Sequence, residues 1–426
     1  MIPIPREPYR LTRWCIVAVF LVAFVGRAGW GIVSLTRAPS AAALEFPDEV
    51  QYWEMGRSLR AGDGLRDELG YRATRMPLYP ALLAAMPEAP AGIVLAKALQ
   101  WIVGAAAAVM FAGLAGVLFD RRTAWLAGLA AALDPFGIFF ASLLLTETLF
   151  LLAAGALWWW AAHTMLGCTR EPATGRMAIL GVLAAAAIHV RESTLGLVVL
   201  LFALILVPAG ARRARWKGAA VGLGIVVLAL LPWTARNRAV IGEWCWTTTR
   251  FGISLYDGVG PAASGASDLG DVKAADAVAG LPEREWNAWF VAESKKAIFA
   301  DPVRIVRLGF VKLTRMWNPL PNVETYQSRI VRAISALWTI PVFALAAAGA
   351  ILWPMQWGRR GIMIVALLLL PALYLSLLHS VFVGSVRYRL GAMPMLEVLA
   401  ASVAARLLGG LMNRKPGEHS VRPAPD

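Results

Sequence analysis

Apolar residues in this chain fall into long runs broken by short charged turns. A helix needs about 20 consecutive apolar residues to cross a bilayer. Ten stretches reach or approach that length, at about 14–35, 92–119, 123–141, 143–163, 177–190, 194–208, 218–235, 331–353, 361–380 and 390–411. The pattern predicts an all-α polytopic membrane protein with about ten transmembrane helices. Asp134-Pro135 interrupts the third run and should kink it. Residues 37–91 form a loop whose segment Tyr52–Leu59 carries apolar residues at helical spacing, which predicts an amphipathic helix lying along the membrane surface. A short helix should follow Pro77. Residues 238–330 are more polar and contain no spanning run, so they predict a small domain outside the membrane, helical near 283–317. The chain then divides into an N-terminal transmembrane module, 1–237, the small domain, 238–330, C-terminal spans, 331–412, and a polar, disordered tail, 413–426.

Composition agrees with this reading. At 58% hydrophobic and 16% charged, the 426 residues are too apolar for a water-soluble protein. The net charge of +14 could suggest nucleic acid. The positive clusters instead sit in short turns: Arg6, Arg10 and Arg13; Arg121 and Arg122; Arg170 and Arg176; Arg212, Arg213, Arg215 and Lys217; Arg359 and Arg360. They alternate so that both termini lie on the cytoplasmic side. The first run is long for a signal peptide and lacks a small-x-small site after it, so it reads as a retained anchor. Of Cys15, Cys168 and Cys245, only Cys245 should face outward, which predicts no disulfide. No Cys/His spacing resembles a zinc site.

On this topology Asp48 and Glu49, in Pro47-Asp48-Glu49-Val50-Gln51-Tyr52, emerge on the outer face just after the first span. A carboxylate there can act as a general base if its surroundings tune it. The same acid, standing just before a helical pattern, would also serve as an N-cap. Glu147 lies at the edge of the fourth span, where an acid costs roughly 2.5–3.5 kcal/mol on insertion scales and so faces a cavity or a partner. Arg191 and Glu192 read as a local pair at the next outer turn. Arg387-Tyr388-Arg389 lies outside, against the positive-inside rule, and two guanidiniums around an aromatic suit a phosphate with an apolar tail. They would equally serve as snorkelling anchors. Arg75 and Arg236 are similar candidates. Lys97, His163, His189, His379 and Glu397 read as structural, and Trp158-Trp159-Trp160 as an interface belt. No Walker loop, dinucleotide fingerprint or Ser/His/Asp motif is present.

Three stretches carry a family resemblance: Pro47–Tyr52 followed by Arg75-Met76-Pro77-Leu78-Tyr79-Pro80; Leu145-Thr146-Glu147-Thr148-Leu149; and Arg387-Tyr388-Arg389 with Pro394 entering the last span. Pro232-Trp233-Thr234-Ala235-Arg236-Asn237, with Gly242 and Gly252, is in the same style. In order and spacing the chain resembles GT-C class membrane glycosyltransferases, in the branch of bacterial protein O-mannosyltransferases and the lipid A aminoarabinose transferase. The resemblance implies a GT-C-like fold in the plasma (inner) membrane, with its site facing the periplasm or exterior. It implies a hexosyl or pentosyl transfer from a polyprenyl-phosphate sugar to a glycan, lipid or protein acceptor. Asp48 would be the catalytic carboxylate and Glu147 the second acid, a position often Asp in the family. Glu49, Tyr52, Arg75, Arg191, Arg236, Arg387, Tyr388 and Arg389 would bind substrate. Oxygen ligands at Asp48 and Glu147 would suit Mg²⁺ or Mn²⁺, although the sequence establishes no metal. Two other readings stay open: a transporter or flippase of a lipid-linked sugar, which should show inverted repeats, and a non-catalytic scaffold. No internal repeat is visible.

Overall fold

The structure is a computed structural model that describes residues 9–40, 42–166, 174–207, 212–268, 277–323 and 326–412. Arg6, Cys168, Arg170 and the tail 413–426 lie outside the described residues. The described residues contain helices and no strand. In chain order the helices are α1 (Arg13–Arg37), α2 (Pro47–Arg60), α3 (Leu78–Ala84), α4 (Ala91–Leu118), α5 (Arg121–Leu133), α6 (Pro135–Phe140), α7 (Glu147–Leu166), α8 (Thr174–Val190) and α9 (Thr194–Leu206). There follow α10 (Arg212–Ile241), α11 (Phe251–Val259), α12 (Glu283–Ala300), α13 (Pro302–Met316), α14 (Arg329–Trp357), α15 (Arg359–Val381), α16 (Val386–Arg389) and α17 (Met393–Met412).

Six of these, α1, α4, α7, α10, α14 and α15, are long and apolar enough to cross a membrane. This is a polytopic membrane protein. The third predicted run is two helices, because Asp134 stops α5 and caps α6 by accepting from the amides of Phe136 (3.1 Å) and Gly137 (2.9 Å). The fifth and sixth runs form α8 and α9, shorter than a full span. Helix α4 is central and packs on α1, α5 and α7. Its seams are built from small residues, as close packing in lipid requires. A Cβ at Gly128 of α5 would stand 2.8 Å from the Ala112 Cβ, and one at Gly155 of α7 would stand 2.9 Å from the Met110 Cβ.

Two expectations change. The apolar face of helix α2, Tyr52, Trp53, Met55 and Gly56, is buried in protein rather than open to a membrane surface, and a Cβ at Gly56 would meet the Leu83 Cβ of α3 at 2.8 Å. Trp158 is core rather than belt, buried with its indole N–H donating to the Leu367 carbonyl at 2.9 Å. The stretch after α10 is stitched to the loop before α3. Glu283 accepts from the Arg72 and Ala73 amides (2.6 and 2.8 Å) and from the Thr249 hydroxyl (2.5 Å), and Tyr71 donates to the Leu281 carbonyl (3.0 Å).

Candidate active site

The site is assembled at one end of the bundle from five helix ends, where side chains are released from intrahelical packing. Asp48 stands in the first turn of α2, and Gln51 and Tyr52 follow three and four residues later on the same face. Arg75 comes from the loop before α3. Glu147 opens α7, where a negative charge suits the helix dipole. Arg191 follows the last residue of α8, and Arg250 precedes the first of α11. Arg387 sits on the single turn α16, which Ser385 caps by accepting from the Arg387 amide (3.3 Å).

Arg387 bridges the two acids. Its Nε donates to Glu147 Oε1 at 2.5 Å and its Nη1 to Asp48 Oδ2 at 2.7 Å. The other Asp48 oxygen accepts from Arg75 Nη2 at 2.5 Å, with Arg250 Nη2 at 3.7 Å. Arg191 Nη1 stands 3.6 Å from Glu147 Oε1. Gln51 Oε1 accepts from Arg75 Nε (2.8 Å) and Arg250 Nη1 (3.2 Å), which fixes both guanidiniums. The Arg75 guanidinium also lies 4.7 Å from the Tyr52 ring centroid. Glu147 is 1% exposed and its Oε2 has no partner, while the Asp48 side chain is 24% exposed. Burial alone would raise the Asp48 carboxyl, but Arg75, Arg387 and Arg250 override it and hold it well below the usual carboxylate range. Burial works against the Arg387 charge, and Glu147 and Asp48 more than offset it, so its basicity is raised.

Four guanidiniums thus face two carboxylates, an excess of positive charge. The same donors that hold the acids would bind an anion such as a phosphate bidentately. A divalent cation does not fit. Three of the four carboxylate oxygens already face arginine, and no group of three His, Cys, Asp or Glu gathers among the described residues.

The sequence candidates divide. Asp48, Tyr52, Arg75, Glu147, Arg191 and Arg387 come together. Arg191 faces Glu147 rather than pairing locally with Glu192. Tyr388 stacks on His379, with ring centroids 4.1 Å apart, and borders the cluster through Arg191, 5.8 Å from its ring. Glu49, Arg236 and Arg389 are elsewhere. Glu49, about 100° from Asp48 around the helix, is fully buried and accepts from the amides of Glu45 (2.8 Å), Phe46 (3.0 Å) and Leu144 (2.7 Å). Arg236 donates to the Arg72 carbonyl at 2.6 Å and latches the loop before α3. Arg389, two residues from Arg387, faces the opposite way, into the bundle between Phe136 and Phe343, and donates to the carbonyls of Met316 and Asn318. Gln51 and Arg250 were not anticipated. Helical spacing from Asp48 marks Gln51, and no pattern marks Arg250.

No protein-family model matches the chain, and no curated protein matches its sequence. Solved structures do resemble it. The Archaeoglobus fulgidus oligosaccharyltransferase in its apo form superposes with a TM-score of 0.60 at 13% identity, over 95% of this chain and 53% of that one. The A. fulgidus oligosaccharyltransferase AglB in complex with an inhibitory peptide and a dolichol-phosphate gives 0.57 at 13% identity, over 96% and 53%. ArnT from Cupriavidus metallidurans bound to undecaprenyl phosphate gives 0.41 at 15% identity, over 93% and 78%, a score too low to carry an argument. The likeness is one of fold: the chain shares the helical fold of these oligosaccharyltransferases. The chain spans about half the length of the oligosaccharyltransferases it matches.

Proposed function

We propose that this protein is a membrane glycosyltransferase that moves a sugar from a polyprenyl-phosphate donor to an acceptor hydroxyl outside the cytoplasm, with inversion. The observation that carries the reading is the bridge from Asp48 through Arg387 to Glu147, with Arg75, Arg191 and Arg250 around it. A surplus of guanidinium is what a phosphate leaving group requires, and a carboxylate among them is what an attacking hydroxyl requires. Ten membrane crossings with both termini inside would place this end of the bundle on the outer face, where no nucleotide sugar is supplied and the donor must be lipid-linked.

At rest both Asp48 oxygens are engaged by arginine, so the carboxylate is ionised and a weak base. A donor phosphate competes for Arg387, Arg75 and Arg250. As they turn to it, Asp48 loses the charges that hold its proton affinity down and becomes a stronger base. Asp48 then takes the acceptor hydroxyl proton, the hydroxyl oxygen bonds to the anomeric carbon, and the carbon–oxygen bond to phosphate breaks with its electron pair on the phosphate. Glu147 stays with Arg387 and Arg191 and positions them. A phosphate leaves as a stable anion, so no general acid is needed, unlike glycoside hydrolysis with its two carboxylates.

The test is transfer of radiolabelled sugar from a panel of polyprenyl-phosphate donors in membranes containing wild type or Asp48→Asn. Transfer by the wild type and at least about a 100-fold loss in a folded variant that still binds polyprenyl phosphate is the expected result. Equal transfer by both removes Asp48 as the base.

A further inference from the structure

Helix α13 is amphipathic in the wrong sense for a helix on a water-exposed domain. Arg304, Lys312 and Arg315 face the protein with Leu308 and Met316, while Val303, Val306 and Phe310 face out, with the exposed Arg307 at the flank of their stripe. Val303, Val306 and Phe310 follow one another at i, i+3 and i+7 and are exposed, Val303 at 77% and Phe310 at 68%. Phe299, just before the helix, is 83% exposed. On the opposite side Lys312 is fully buried, and its ammonium donates to the carbonyls of Ser380 (3.3 Å) and Val381 (2.6 Å) at the end of α15. Arg304 donates to the carbonyls of Val259, Gly260, Pro261 and Ala263 at the end of α11. Arg315 Nε reaches the Gly384 carbonyl at 3.3 Å.

Lys312 satisfies carbonyls that the end of α15 leaves open, and Arg304 and Arg315 satisfy carbonyls at and just beyond helix ends. In water that service is optional, because solvent supplies the donors. In hydrocarbon it is obligatory, because nothing else can. On the protein side the cations leave these acceptors satisfied without water, and it is the outward apolar stripe that calls for a hydrocarbon cover. The surface around α13 agrees. It crosses the C-terminal end of the span α15, with Gly309 over the Ser380 carbonyl, and Leu373 and Leu377 of that span are exposed as lipid-facing residues are. Trp244 and Trp246, in the same polar stretch of sequence, are also exposed, as aromatic residues at a membrane boundary are.

We propose that α13 is seated in the bilayer, with phospholipid chains covering Phe299, Val303, Val306 and Phe310. The stretch read from sequence as a domain clear of the membrane is then anchored in it. Because Arg315 and Lys312 hold the residues just before α16, the bilayer also fixes the height of the segment that delivers Arg387. The inference does not depend on the glycosyltransferase reading.

Nitroxide labels on single cysteines at Val303, Val306 and Phe310 test it. The full chain would carry Cys15→Ala, Cys168→Ala and Cys245→Ala and sit in phosphatidylcholine/phosphatidylglycerol vesicles, with labels at Leu377 and Lys296 as lipid and water references. The ratio of collisions with oxygen to those with a water-soluble nickel chelate should match the Leu377 label and exceed the Lys296 label several-fold. A ratio like that at Lys296 overturns the proposal, as does low collision with both reagents, which would mean a protein partner. A benzophenone side chain at Phe310 in the otherwise native chain gives an independent readout. Photolysis should attach it to radiolabelled phospholipid, and attachment only to protein or only to water overturns the proposal.

Discussion

Replacing Arg387 by Gln removes one guanidinium and strands two acids. At an effective dielectric near 20, unit charges about 4 Å apart attract by about 4 kcal/mol, so the two contacts gross about 8 kcal/mol. Desolvation of the three groups offsets much of that gain. What the substitution costs is set by what stays behind. Glu147 is 1% exposed and would keep only Arg191, at 3.6 Å. Asp48, 24% exposed, would keep Arg75 at 2.5 Å. Breaking a buried pair by deleting one partner costs about 3–5 kcal/mol, and because Arg387 is 21% exposed the lower end, about 3 kcal/mol, applies. Unfolding by denaturant in bicelles measures it. Glu147→Gln in the same background removes the stranded charge, so the double variant should recover about 2 kcal/mol relative to the sum of the single losses. A loss under about 1 kcal/mol for Arg387→Gln, or strictly additive losses in the double variant, would refute the idea that Arg387 holds the two acids together.

Three further outcomes follow from the same contacts. Glu49→Gln should cost about 2–3 kcal/mol in the same unfolding assay, since one carbonyl oxygen cannot serve the amides of Glu45, Phe46 and Leu144 at once. Arg236→Met should cost about 1–3 kcal/mol of stability by freeing the Arg72 carbonyl, while the KM for donor stays within twofold, about the scatter that a residue outside the cluster produces. Burial lowers Lys312 to about 8, so between that pH and the ordinary value of about 10.4 the unfolded chain binds the extra proton. The Lys312 contribution to stability should then rise by about 3 kcal/mol as pH rises through that window, with the burial cost fully present below it, and the difference between the wild-type and Lys312→Met pH profiles should show that rise.

Much of the fold was legible because lipid imposes one rule on every span: a long apolar run between charged turns. The break at Asp134-Pro135 was legible for the same local reason that made it, a missing amide and a side chain able to cap the next helix. What failed was the assignment of faces. Tyr52, Trp53 and Met55 have the spacing of a membrane-surface helix, yet they are buried in protein, Tyr52 against Tyr79 of α3 and Trp53 against Gly92 of α4. Helix α13, within a stretch that looked polar, turns its apolar face outward. A helical pattern gives the direction of an apolar stripe around its own axis and not the identity of what lies there.

The site shows the same division between what is local and what is not. Asp48, Arg75, Glu147, Arg191 and Arg387 were all named from sequence: Asp48 as a base or cap, Arg75 and Arg387 as phosphate binders, Glu147 as a span-edge acid in need of a partner and Arg191 as a local pair. Which partner it takes is decided by helices far apart in the chain, so Arg191 was assigned to the adjacent Glu192 when it faces Glu147. The pairs Asp48/Glu49 and Arg387/Arg389 make the point most directly. In each, one member faces the cluster and the other is consumed by backbone amides or carbonyls. A helix turns about 100° per residue, so neighbours in the first pair and next-neighbours in the second cannot both reach one site. Sequence motifs that pair like charges so closely should therefore be read as one functional group and one structural support, with the geometry of the helix deciding which is which.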